Sequence, residues 1–121
     1  MPKTALIVDD SNTMRRMVGD TLRSAGLTVV EGVNGEEALE RAAGKVIDLV
    51  ITDFNMPVLG GIGLVKKLRA QAKFKFTPIL MLTTETDEAR KQEGRAAGAT
   101  GWMTKPFDPN RLIQLVTRLL A

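Results

Sequence analysis

Five short apolar runs are separated by stretches whose apolar residues recur at helical spacing, and this alternation limits the fold more than any other feature of the chain. The runs cover residues 5–8, 28–30, 46–51, 79–82 and 101–103. The first, third and fourth are nearly all apolar, the pattern of strands buried on both faces. Each intervening stretch carries helix punctuation. Ser11 or Asn12 can cap a helix in which Met14, Met17, Val18, Thr21, Leu22 and Ala25 share a face, stopped by Gly26. Asn34 precedes Glu36, Glu37, Ala38, Leu39 and Ala42, with Gly44 as the stop and the acids at the favourable end. Leu64, Val65 and Leu68 line one face after Gly60-Gly61, and Thr86 or Asp87 opens a helix over 88–97 that Gly98 closes. Asp108 caps the last helix, with Pro109 at its first position and Leu112, Leu115, Val116 and Leu119 as its buried stripe.

Strands alternating with helices predict an α/β fold, a doubly wound (βα)5 sandwich. Right-handed crossovers place helices on both faces of a parallel sheet, and ligands bind beyond the carboxyl ends of its strands. The residues at those ends are therefore the candidates for chemistry. Asp9 and Asp10 follow the first strand, Thr52-Asp53 ends the third, Thr83 ends the fourth, and Lys105 follows the fifth, just before Pro106. They should meet at one edge of the sheet. Clustered carboxylates repel, and one would take up a proton unless a cation intervened. A divalent cation such as Mg²⁺ resolves that conflict, and with a lysine it would neutralise charge during phosphoryl transfer. An Asp can itself accept the phosphoryl group as an acyl phosphate.

Absent residue types narrow the chemistry further. The chain has no Cys and no His, which excludes disulfides, thiolate nucleophiles, Cys-bound zinc, the Ser-His-Asp triad and phosphohistidine. Carboxylates, hydroxyls and lysines remain, and these suit hard oxygen-binding cations. Of 121 residues, 17 are basic and 14 acidic; setting aside Asp9, Asp10 and Asp53 leaves 17 against 11. Lys66, Lys67, Arg69, Lys73 and Lys75 form a basic cluster, read here as a solvated helix face and its loop rather than a nucleic-acid surface, since four Phe and one Trp make no stacking platform. No apolar run approaches membrane-spanning length and no signal peptide is evident, so a cytoplasmic protein is expected.

The segments Leu6-Ile7-Val8-Asp9-Asp10, Asp53-Phe54-Asn55-Met56-Pro57, Leu82-Thr83 and Lys105-Pro106-Phe107, in this order and spacing, resemble the receiver family of bacterial two-component signalling over essentially the whole chain. Ser11-Asn12-Thr13-Met14-Arg15-Arg16 is similar to the chemotaxis branch of that family. The resemblance implies a single flavodoxin-like domain over 1–121 with strand order 2-1-3-4-5 and no output domain. It implies that Asp53 accepts a phosphoryl group from a histidine kinase, and that Asp9, Asp10, Asp53 and the backbone carbonyl of Asn55 hold Mg²⁺. Lys105 would pair with the phosphoryl group and Thr83 would hydrogen-bond it; Thr84 is the alternative hydroxyl. Trp102 stands where the family places an aromatic switch, usually Tyr or Phe. Asn55 and Glu85 would modulate the attacking water, with plain loop polarity as the rival reading. A cis bond is implied before Pro106.

The same resemblance implies a signalling protein rather than an enzyme acting on other substrates, and a monomer is expected. Its partners would be a chemotaxis kinase, a flagellar motor switch protein or other output protein, and a phosphatase. The output face would lie on the fourth helix, fifth strand and last helix, with Arg90, Lys91, Arg95 and Arg111 nearby. Alternatives are a single-domain receiver of another phosphorelay, or a degenerate receiver acting as a constitutive binding module. A haloacid dehalogenase-type phosphatase fits less well, because Asp9 lacks a second Asp two positions on. A flavodoxin fits less well, because Asp9-Asp10 would repel a flavin phosphate.

Overall fold

Ala5, Leu6, Ile7 and Val8 carry no side chain able to hydrogen-bond, so a strand built from them is stable only with both faces covered. The computed structural model, which describes residues 2–56, 58–84 and 88–121, provides that cover. Its strands are β1 (Thr4–Val8), β2 (Thr28–Gly32), β3 (Leu49–Thr52), β4 (Ile79–Thr83) and β5 (Gly101–Thr104). Its helices are α1 (Asn12–Ser24), α2 (Gly35–Ala42), α3 (Gly61–Arg69), α4 (Glu88–Ala97) and α5 (Pro109–Leu120), with a 3₁₀ turn at Ala72–Phe74. The five strands form one parallel sheet in the order β2-β1-β3-β4-β5. The doubly wound fold and its strand order are therefore as expected.

Strand alternation splits the core in two. Ala5, Ile7, Leu49, Ile51, Leu80 and Leu82 pack against Val18 and Leu22 of α1 and Leu112 and Val116 of α5. Leu6, Val8, Val50 and Ile79 face the other way, onto Ala38 and Ala42 of α2 and Leu64, Val65 and Leu68 of α3. The strands β1, β3 and β4 are central and almost wholly buried, whereas β2 and β5 are edges. Among the described residues no helix is long and apolar enough to cross a membrane.

The caps of α1, α2 and α5 fall where the sequence marks them. Ser11, not Asn12, caps α1, its Oγ accepting from the Met14 N–H. The Asn34 side chain accepts from the Glu37 N–H, and the Asp108 side chain from the Asn110 N–H. Gly26, Gly44 and Gly98 follow α1, α2 and α4 at positive φ, where a Cβ would be strained. The residues expected to open α4, Thr86 and Asp87, lie outside the described residues, as does Glu85.

Several expectations need correction. The third strand begins at Leu49, not residue 46: Val46 is exposed, and Asp48 turns its carboxylate to accept from the Thr4 N–H at 2.8 Å. The α1 stripe is narrower than its periodicity suggests, because Met17 and Ala25 are exposed while Gly19 is buried against the sheet. β2 runs on to Gly32, drawn out by pairing with Ile7 and Val8.

Arg69 does not belong to a solvated face. Its Nη1 donates to the Phe74 and Thr77 carbonyls at 2.6 and 2.7 Å. Nε and Nη2 both donate to the Gly98 carbonyl, at 3.0 and 2.9 Å. One side chain thus ties the end of α3 to the loops before β4 and β5. Removing it strands part-buried carbonyls as well as losing charged hydrogen bonds. Arg69→Met should lower unfolding free energy by about 3 kcal/mol, read as a reduced urea midpoint with an unchanged m-value.

Candidate functional site

Parallel strands deliver their carboxyl ends to the same edge, so side chains just beyond β1, β3, β4 and β5 converge there. The Asp9 N–H donates to the Gly32 carbonyl and the Asp53 N–H to the Val8 carbonyl, which continues the ladder one residue past each strand. The Lys105 N–H does the same with the Thr83 carbonyl at 2.8 Å. Backbone pairing therefore sets where these three side chains start.

Lys105 Nζ then donates to Asp9 Oδ2 at 2.8 Å and Asp53 Oδ2 at 3.2 Å. The other oxygens are also held: Asp9 Oδ1 accepts from the Ser11 N–H at 2.9 Å, and Asp53 Oδ1 from the Phe54 N–H at 2.7 Å. Asp9 is 4% exposed and Asp53 9%, whereas Asp10 is open to solvent. One oxygen from each of Asp9, Asp10 and Asp53 lies within 4.8 Å of the others, a span one cation could bridge. An all-oxygen, carboxylate-rich set with an open side fits a hard, partly hydrated ion such as Mg²⁺.

The surroundings of Lys105 oppose one another. Burial disfavours its charged form, but the Asp9 hydrogen bond and the charges of Asp53 and Asp9 outweigh that and raise its pKa above the ordinary 10.5. The Lys105–Pro106 peptide is cis, as expected, and Phe107 sinks into the core beneath α5.

Of the remaining candidates, Thr83 is 1% exposed at the end of β4, whereas Thr84 is exposed. Asn55 is exposed two residues beyond Asp53, in a loop where Val58 is held at φ 72°, a conformation β-branched residues avoid. Trp102 lies beside Phe54, ring centroids 5.9 Å apart, and Phe54 adjoins Asp53. Arg90, expected near the face of α4, β5 and α5, lies on α4 with its guanidinium over the Phe54 ring at 5.6 Å. Lys91, Arg95, Arg111 and Arg118 do line a groove on that face, with Trp102 in its wall.

Two supporting residues escaped the sequence reading. Gly61 opens α3 directly behind the site: a Cβ there would collide with the Asp53 carbonyl and come within 2.8 Å of Met81 Cε. Its place in Gly60-Gly61 was the available signal. Arg15 is the other. Its Nη1 donates to the Asp9 carbonyl at 2.8 Å, Nη2 to Asn12 Oδ1 at 2.6 Å, and Nε to Glu31 Oε1 at 3.1 Å. Its helical spacing marks only the Asn12 contact within α1; the other two partners, the Asp9 carbonyl in the β1–α1 loop and Glu31 on β2, lie outside the helix.

The profile described as the response regulator receiver domain matches residues 5–117. The chain belongs to the response regulator receiver family. It is 43% identical over 109 residues to chemotaxis protein CheY1 of Helicobacter pylori, covering 88% of each chain. The structure of chemotaxis protein CheY4 from Vibrio cholerae superposes with a TM-score of 0.95 at 49% identity, covering 99% of this receiver and all of that chain. A sensor-kinase receiver domain from Pseudomonas aeruginosa, solved with magnesium coordinated in its active-site cleft, superposes with a TM-score of 0.91 at 26% identity, covering 99% and 98%. This receiver is thus closely related to the CheY chemotaxis regulators.

Two predictions follow from the carboxylate cluster. Because the folded-state pKa of Lys105 is raised, its stabilisation is complete below the unfolded value and is lost as pH rises through the folded one. In EDTA, Lys105→Met should cost about 3 kcal/mol near neutrality, with the gap to wild type level from neutral into mildly alkaline pH and closing only above the ordinary lysine value. Urea titrations across pH check this. Arg15→Lys keeps the charge but loses the three-way hydrogen bonding of a guanidinium. It should weaken Mg²⁺ binding roughly tenfold in calorimetric titration, with thermal stability little changed.

Proposed function

We propose that this receiver is a response regulator that takes a phosphoryl group onto Asp53 from a histidine kinase in an Mg²⁺-dependent reaction and thereby switches its protein contacts. The observation that carries the reading is Lys105 Nζ bridging Asp9 and Asp53 where three carboxylates gather within 4.8 Å. A nucleophile, a metal-binding donor set and a fixed cation stand together at one strand edge.

Asp53 is assigned as the acceptor because it follows the central strand β3 between its neighbours β1 and β4, with Lys105 Nζ 3.2 Å from its Oδ2. One carboxylate oxygen attacks phosphorus, forming an O–P bond as the N–P bond to the kinase histidine breaks. That nitrogen takes back its electron pair, and the product on Asp53 is an acyl phosphate. Asp9, Asp10, Asp53 and the Asn55 carbonyl would hold Mg²⁺, which when bound would supply positive charge to offset that of the transferring phosphoryl group. Lys105 already carries its charge beside Asp53, so it can meet the added phosphoryl charge, about −1.5 to −2, without reorganisation.

The switch follows from the same edge. The phosphoryl group draws the Thr83 hydroxyl inward, and Trp102 responds on the neighbouring strand. Asn55 and Glu85 tune hydrolysis. Phosphate binds the active arrangement better and so shifts its population. The changed face is the groove of α4, β5 and α5, whose Lys91, Arg95, Arg111 and Arg118 suit an acidic output partner. The chain's 49% identity to a chemotaxis regulator supports a cytoplasmic, monomeric role in chemotaxis. A flagellar motor switch protein would then be the output partner, and a phosphatase a further partner.

Intact mass after brief exposure to acetyl phosphate tests the chemistry. One phosphate should add to wild type only with Mg²⁺ present, and none to Asp53→Asn. Absence of any adduct, together with no binding of beryllofluoride as a stable mimic, would instead make the protein a constitutive binding module.

A further inference from the structure

Trp102 is the chain's single tryptophan, on edge strand β5 and in register with Met81 of β4. The benzo edge of its indole faces α4 at Gly94. A Cβ built on Gly94 would lie 3.0 Å from Trp102 Cζ3, 3.7 Å from Cε3 and 3.1 Å from Met81 Sδ. Ordinary carbon contacts fall near 3.5–4.0 Å, so the ring occupies space that any side chain at 94 would claim. On another side the indole meets the Phe54 ring, tilted by 54°. Phe54 in turn donates its N–H to Asp53. Gly94 is the one buried position of α4 among the described residues. A glycine inside a helix is less favourable than alanine, which calls for a packing reason, and the indole supplies it.

The seat is also opposed. Trp102 Nε1 is buried with no acceptor among the described residues, and an unmade hydrogen bond of this kind is costly. Apolar fit over Gly94 holds the ring in, while the unpaired N–H favours turning it out to water.

We propose that Gly94 is the positioning residue for Trp102: the missing side chain on α4 is what lets the indole lie inward beside Phe54, and it sets the balance between the inward and solvent-facing positions. The inference deepens the reading of Trp102 as the moving side chain. It makes the wide indole workable at a position where the family usually has Tyr or Phe.

Emission of the full chain reports this residue alone, because no other tryptophan is present. Without phosphate, Gly94→Ala should red-shift the emission and raise acrylamide quenching at least twofold, with far-UV circular dichroism preserved. A folded Gly94→Ala protein with wild-type emission and quenching would overturn the proposal. Urea unfolding gives a second readout. Gly94→Ala should lower the folding equilibrium constant tenfold or more in the wild-type background and leave it nearly unchanged with Trp102→Phe, whose shorter ring frees the space. An equal penalty in both backgrounds would assign the clash to Met81 and sink the idea. If Gly94→Ala alone fails to fold, a folded Gly94→Ala/Trp102→Phe protein supports the proposal and an unfolded one rejects it. Addition of beryllofluoride to wild type tests the movement separately: an unchanged emission removes the switch reading and leaves the seat intact.

Discussion

The bridge from Lys105 to Asp9 and Asp53 is the interaction on which the rest of the structure depends. Two nearly buried carboxylates side by side are tolerable only if a cation stands between them. Asp9 is carried by β1, Asp53 by β3 and Lys105 by the end of β5, three strands from β1 and two from β3. The bridge therefore closes only if the whole parallel sheet is in register. The Asp9, Asp53 and Lys105 backbone amides each extend the ladder by one residue, so chain pairing places the charges before their side chains meet.

Around this bridge, two arginines perform work that shorter side chains could not. Arg15 braces the Asp9 carbonyl at the functional edge, while Arg69 ties α3 to the loops that enter β4 and β5 at the opposite edge. Both use the fixed fork of the guanidinium to join groups from separate segments. Glycines have the complementary role. Gly61 lets α3 begin against the Asp53 carbonyl, and Gly94 leaves room for Trp102 beneath α4. Where a helix must approach a strand end this closely, there is no space for a side chain.

Much of this was legible in the sequence, because its signals are local. An unbroken apolar run in β1 or β4 admits only a strand covered on both faces, and Asp108-Pro109 marks a helix start in two residues. The misreadings share a cause. Val46 and Ile47 look like strand, but Asp48 is drawn aside to Thr4, a residue 44 positions away. Met17 has the right helical spacing for burial, yet the position of α1 on the sheet leaves it outside. Arg69 resembles its lysine neighbours until the carbonyls of Phe74, Thr77 and Gly98 converge on it.

The sequence by itself determined the order and kind of the elements, and hence which residues end strands on the functional edge. It also determined the chemical menu there: carboxylates, a hydroxyl and a lysine, with no imidazole or thiol. Those properties follow from near-neighbour sterics, periodicity and composition. The tertiary structure alone decided which charges touch, which arginines brace them, and how Trp102 is seated. These depend on distances between residues far apart in the chain, which periodicity does not encode and only the packed sheet and its helices define.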